Sequence, residues 1–276
     1  MTNDEKNKII DQSLQRHLDE LSDTLKAIES LAAHRTHTND AAVKLMNALL
    51  TRNYYTGCSI LTLSQDYHNG PAALDLARQM IEDMVNLEWM VVNDIEIQAV
   101  KFDHFVSIDR MNSLKAAELI NLDLSGELTE DDIAKITEED KSARQALRIA
   151  EDEDRRSYNK RDFSQMVNDI KAKLDKAPFT EANMNRILWL YIQGNYKNHT
   201  SPNELLTYLQ PEKDVILQLK GDMQYALYVA YAVLSTIAMR YVKHLLDIDP
   251  EYEVAQATLE KLLTVHDELK EQSGDE

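Results

Sequence analysis

Six glycines and five prolines are all that interrupt 276 residues. Both residue types break helices and supply turns, so their scarcity leaves long segments with nothing to stop a helix. Alternating β-type runs bounded by turn residues are correspondingly hard to find. The chain therefore predicts an all-α fold, an antiparallel helical bundle. Its 43% hydrophobic content is enough to fill a substantial core, which separates this acidic chain from a disordered one.

Periodicity places the helices. Ile10, Leu14, Leu18, Leu21, Leu25 and Ile28 make a narrow seam along a first helix from about Asn3 to Ala33. Thr38 or Asn39 is suited to cap the next, which carries "AAVKLMNALLTRNYYTGCSILTLSQDY". "HNGP" (His68 to Pro71) reads as a turn, with Pro71 at the first position of a third helix. A further helix runs through "IQAVKFDHFVSIDRMNSLKAAELI". A shorter one lies near Phe163 to Leu174, and another begins near Glu181. A long apolar helix ends near Leu246, before a last amphipathic helix and a frayed acidic tail at 268–276.

No fixed repeat and no low-complexity linker appears, so one domain over 1–276 is expected. From about 127 to 161 charges dominate, and the apolar seam thins to Ile133, Ile136, Ala143, Leu147 and Ala150. That stretch reads as a charged helical arm or hairpin. Binding a protein partner and forming a solvated face are both open to it.

A formal net charge of −18 argues against broad contact with nucleic acid or anionic lipid, although a local basic patch such as "EDRRSYNKR" is not excluded. The single cysteine, Cys58, rules out an internal disulfide framework and fits a reducing cytoplasm. The apolar run "MQYALYVAYAVLSTIAM" falls short of the roughly 20 residues of a bilayer span. It is expected as a buried central helix, with no membrane partner.

Two motifs can carry chemistry. On a helical wheel Leu188, Ile192, Tyr196 and His199 form one stripe with Trp189 alongside, which puts His199 on a buried face. A buried imidazole needs a hydrogen-bond partner, and Ser201 is a local candidate, while Pro202 stops the helix. In "LARQMIEDMVNLEWM", Arg78 falls inside an apolar arc and Glu82, at i+4, sits at its edge beside Trp89. An arginine so placed must be paired or face a polar cavity, where its donors can take an anion such as phosphate. A structural ion pair and a satisfied core histidine are the alternatives.

The pairing of "LARQMIEDMVNLEWM" with a later W-x-Y-x(4)-Y-x-x-H-x-S-P resembles a family of bacterial all-helical proteins of unknown function, over roughly Leu49 to Leu246. That family in turn looks like the HEPN group of four-helix-core domains, several of which are RNA-cleaving toxins or antiviral effectors that act as dimers. The resemblance implies a role in stress response or phage defence, RNA or a nucleotide as partner, and a homo-oligomer. The group's hallmark Arg-x(4–6)-His is missing: before His199 stands "IQGNYKN", with Asn195 and Tyr196 nearest. "RYVKH" (Arg240 to His244) is one residue short, and reads more simply as a basic helix end.

The candidate catalytic residues are therefore His199, Arg78, Glu82 and Tyr196, with Arg78, Trp89, Asn195 and Ser201 as ligand contacts. No cofactor and no metal is expected: "HRTH" (His34 to His37) lies at a helix break, and no repeated Glu-x-x-His spacing occurs. The alternative function is a non-catalytic interaction protein whose polar cluster is structural.

Overall fold

The computed structural model describes residues 3–33, 39–120, 128–150, 161–173, 185, 189, 191–192 and 209–273, with side chains from 5 to 265. Among them are eight α-helices, one short 3-10 turn and no strand. The helices are α1 (Asn3–Ala33), α2 (Ala41–Leu63), α3 (Gly70–Val92), α4 (Ile95–Leu119), α5 (Glu130–Leu147), α6 (Phe163–Lys171), α7 (Glu212–Ile248) and α8 (Glu253–Ser273). The chain is an all-α bundle, as its breakers predict.

Consecutive helices α1, α2 and α3 run antiparallel. Thr51 on α2 donates to the Ala32 carbonyl, and Gly57 lies beside Leu21 and Leu25 of α1. α7 arrives after a long connection and lies parallel to α1 and α3. Asp11, Ser13 and His17 meet Lys220, Gln224 and Tyr228 in matching order. Gly70 likewise abuts Leu219 and Asp222, while Glu88 meets Arg240. α2 runs against all three.

These four helices enclose the core. Leu21, Ile28, Leu50, Ile60, Leu87 and Leu234 are almost wholly buried, each removal from water contributing about 1.5–3 kcal/mol. Tyr241 is 0% exposed, and its hydroxyl accepts from Asn47 Nδ2 at 3.2 Å, so the ring is buried without stranding its oxygen. By length and composition α7 could cross a membrane, but it packs against α1, α2, α3 and α8, with 56% of its most apolar window buried. It is the central helix the apolar run predicted, and longer than that run.

The ends show local chemistry at work. α2 is capped by Asp40, which accepts from the Val43 N–H at 3.0 Å, rather than by Asn39 or by Thr38, which lies outside the described residues. Aspartate is as good a cap as asparagine, so residue type alone could not choose between neighbours. Pro71 sits in the first turn of α3, one place after the first position, which Gly70 takes. Between α3 and α4 the corner is a single pair, Asn93–Asp94, with Asp94 at φ 73°. Aspartate tolerates that region better than most residues, and its side chain caps the Ile97 N–H.

α5 packs along α4, with the Arg110–Glu139 pair at 3.6 Å between them. Of its expected seam, Ala143 is buried, Ile136 and Leu147 are half-buried, and Ile133 and Ala150 are exposed. The hairpin still holds one buried ion pair: Arg144 Nε lies 2.9 and 3.0 Å from the two Asp140 oxygens, and Nη1 donates to the Ala150 carbonyl. α8 continues to Ser273, into the stretch expected as a tail. The connecting parts of the 127–161 arm fall partly outside the described residues.

Candidate functional site

α3 is the polar hub of the bundle. Three of its polar side chains reach neighbouring helices, while Asp75 and Glu82 pair with Arg78 on its own surface. Asp83 accepts from Arg52 Nε at 2.7 Å and Asn53 Nδ2 at 2.9 Å on α2. Glu88, 1% exposed, accepts from Arg240 Nε and Nη2 on α7 at 2.8 and 2.7 Å. Trp89 donates its indole N–H to Asp169 on α6 at 2.9 Å.

Arg78 occupies the fourth side. Its Nη1 lies 2.8 Å from Glu82 Oε1, and Nε is 3.4 Å from Asp75 Oδ1. The guanidinium carbon stands 6.0 Å from the centre of the Tyr191 ring, which itself stacks on Phe163 with centroids 3.6 Å apart and planes 13° off parallel. The Arg78 side chain is 22% exposed and Glu82 37%, so the seam is half open. The expected Arg78–Glu82 pair therefore forms, and it meets the stretch that begins at Tyr191. Tyr196, His199, Asn195 and Ser201 lie outside the described residues.

Three placements differ from the sequence reading. Trp89, expected beside a ligand, is 7% exposed and committed to Asp169. Ile192, expected on the buried stripe, is 39% exposed, while its neighbour Tyr191 is half-buried. The Tyr191 ring has Phe163 and the Arg78 guanidinium to pack on. Arg240 is no helix-end basic residue: α7 continues to Ile248, and the guanidinium is bound to Glu88.

The seam holds a fixed cation between carboxylates and an aromatic face, an arrangement suited to orienting an anion or another side chain. Burial pushes the Cys58 thiol above its ordinary value, away from the reactive thiolate. A second hollow, of about 630 Å³, lies between α7 and α8 among Tyr231, Met239, Val242, Leu246, Leu259 and Leu262. It was not legible in the sequence because it forms between two helices whose mutual rotation no motif records.

These features define a helical bundle with a half-open cationic seam beside its central polar helix. The chain belongs to the family of unknown function DUF5677, which it matches over residues 43–216, a span running from α2 into the start of α7 and including Arg78, Glu82 and the Tyr191 stretch. No curated protein and no solved structure matches it.

Proposed function

We propose that this is a HEPN-like, RNA-directed protein of a bacterial stress or phage-defence response, cytoplasmic and homo-oligomeric, whose site is the seam between α3 and the Tyr191 stretch. One observation carries the reading: Arg78 lies against Tyr191, the first residue of the stretch that holds Tyr196 and His199, although the two motifs are distant in the chain. The four long helices of the core support it too. Arg78 would hold a phosphate, with Asp75 and Glu82 setting its direction while weakening its pull on an isolated anion. His199 would act as acid or base, assisted by Tyr196, Asn195 and Ser201 of the same motif. Because the usual Arg-x(4–6)-His dyad is missing, the cation comes from a different helix.

The second reading, a non-catalytic interaction protein, is favoured by the apolar hollow between α7 and α8. Beside it Met239 and Leu263 are 37% and 47% exposed, a surface suited to the apolar face of a partner helix.

Induced expression of the full chain, followed by growth and by RNA integrity in the cells, tests the first reading. Growth arrest with RNA loss is expected for the wild type, and neither for Arg78→Ala or His199→Ala that remain helical by circular dichroism. RNA loss that persists in both folded variants, or a wild type without any RNA effect, overturns it in favour of the second.

A further inference from the structure

Away from the Arg78 seam, three helices bring one imidazole and two carboxylates together. His244 lies on α7 one turn past Arg240, Asp40 caps α2, and Glu96 stands in the first turn of α4. One possible ligand atom from each lies within 4.8 Å of the other two. The His244 side chain is 15% exposed, and its Nε2 is shielded from solvent without a hydrogen-bond partner. Buried polar atoms are almost always satisfied, so an orphan of this kind requires an explanation.

Glu96 Oε1 is 3.6 Å from that nitrogen, too far for a hydrogen bond. It is close to the spacing of two ligands on one ion: with bonds of about 2.1 Å, neighbours in a tetrahedral site are about 3.4 Å apart. Asp40 is already oriented by the Val43 N–H, the kind of second bond that aims a ligating carboxylate. Glu96 is 57% exposed and can swing to close the set. The single-pair corner at Asp94 places Glu96 there, directly after α3 ends.

From this we infer that Asp40, Glu96 and His244 form a binding site for a first-row transition-metal dication, Zn²⁺ or a close neighbour. Two carboxylates balance the charge of the ion, and an imidazole donor selects such metals over Mg²⁺ or Ca²⁺, which prefer oxygen alone. Three protein ligands leave at least one position for water. The site ties the starts of α2 and α4 to the last turns of α7. It stands independently of the RNA reading.

The test is titration of the metal-free full-length chain with Zn²⁺ against a chromophoric chelator, for wild type, Asp40→Asn, Glu96→Gln and His244→Ala. Asparagine caps a helix as well as aspartate, so Asp40→Asn removes a charged ligand and keeps the start of α2. One Zn²⁺ per chain is expected for the wild type. Its affinity should fall at least tenfold in Asp40→Asn and in Glu96→Gln, and binding should be lost in His244→Ala. Should His244→Ala fail to fold, the other two variants decide. Absence of stoichiometric binding in the wild type, or wild-type affinity in Asp40→Asn or Glu96→Gln, overturns the site.

Discussion

Arg240 grips Glu88 with two parallel hydrogen bonds, Nε and Nη2 each reaching one carboxylate oxygen, and so joins α7 to α3. Glu88 is 1% exposed and the arginine 16%, so the pair lies largely out of bulk water. Glu88→Ala should therefore cost about 3–5 kcal/mol in urea unfolding at neutral pH. Replacing both residues with methionine should recover most of that loss, because the pair's desolvation cost goes with its charges.

Gly70 begins α3 where it crosses α7, and a β-carbon there would press on the Leu219 carbonyl oxygen and lie 3.2 Å from the Met223 nitrogen. Backbone cannot move aside as a side chain can. Gly70→Ala should destabilise by about 1–3 kcal/mol, seen as a lower midpoint in thermal unfolding, despite alanine's better helix propensity.

Arg148 ends α5 in the left-handed region, at φ 54° and ψ 46°. The next N–H, of Ile149, bonds back to the Arg144 carbonyl at 2.9 Å, and the Ile149 side chain is buried. Glycine adopts this conformation without steric penalty. Arg148→Gly should raise stability by about 0.5–1 kcal/mol in the same unfolding assay.

Glu20 is 3% exposed on α1. Burial alone would push its carboxyl upward, but hydrogen bonds from His17 at 2.6 Å and Arg16 at 2.8 Å outweigh that and hold it below its ordinary value of 4.5. A carboxyl depressed by folding contributes stability that is present above its unfolded value and lost as pH falls through the folded one. Wild-type stability should therefore fall on acidification below about pH 4.5, and Glu20→Gln should lose less over the same window. Denaturant midpoints measured from pH 7 down to pH 3 check this.

Although the cap of α2 was read one or two residues too early, most of the fold was legible because α1 and α3 carry regular apolar seams and Pro71 marks the start of α3. The Arg78–Glu82 pair was legible for the same reason: both residues sit one turn apart on one helix, and local geometry suffices. Glu88 carried a signal too, since on the α3 wheel it falls between Ala77 and Ile81, inside the apolar arc. Its partner could not be found that way, because Arg240 comes from a helix packed on it only by tertiary structure. The Asp40–Glu96–His244 cluster is similarly invisible, being assembled from three separate helices. Ile192 was misplaced because a periodic stripe gives the direction of average hydrophobicity, whereas the Tyr191 ring has Phe163 and the Arg78 guanidinium to pack on.

α7 fills the space between α1, α2 and α3, yet the ribosome makes it long after all three. Until then three nascent helices must wait with their apolar faces uncovered, a long interval in which chaperones or a neighbouring copy can occupy the groove. The stretch matched by the family ends at residue 216, where α7 has scarcely begun. Cut out at those limits, that stretch would lack its keystone and should not fold unaided.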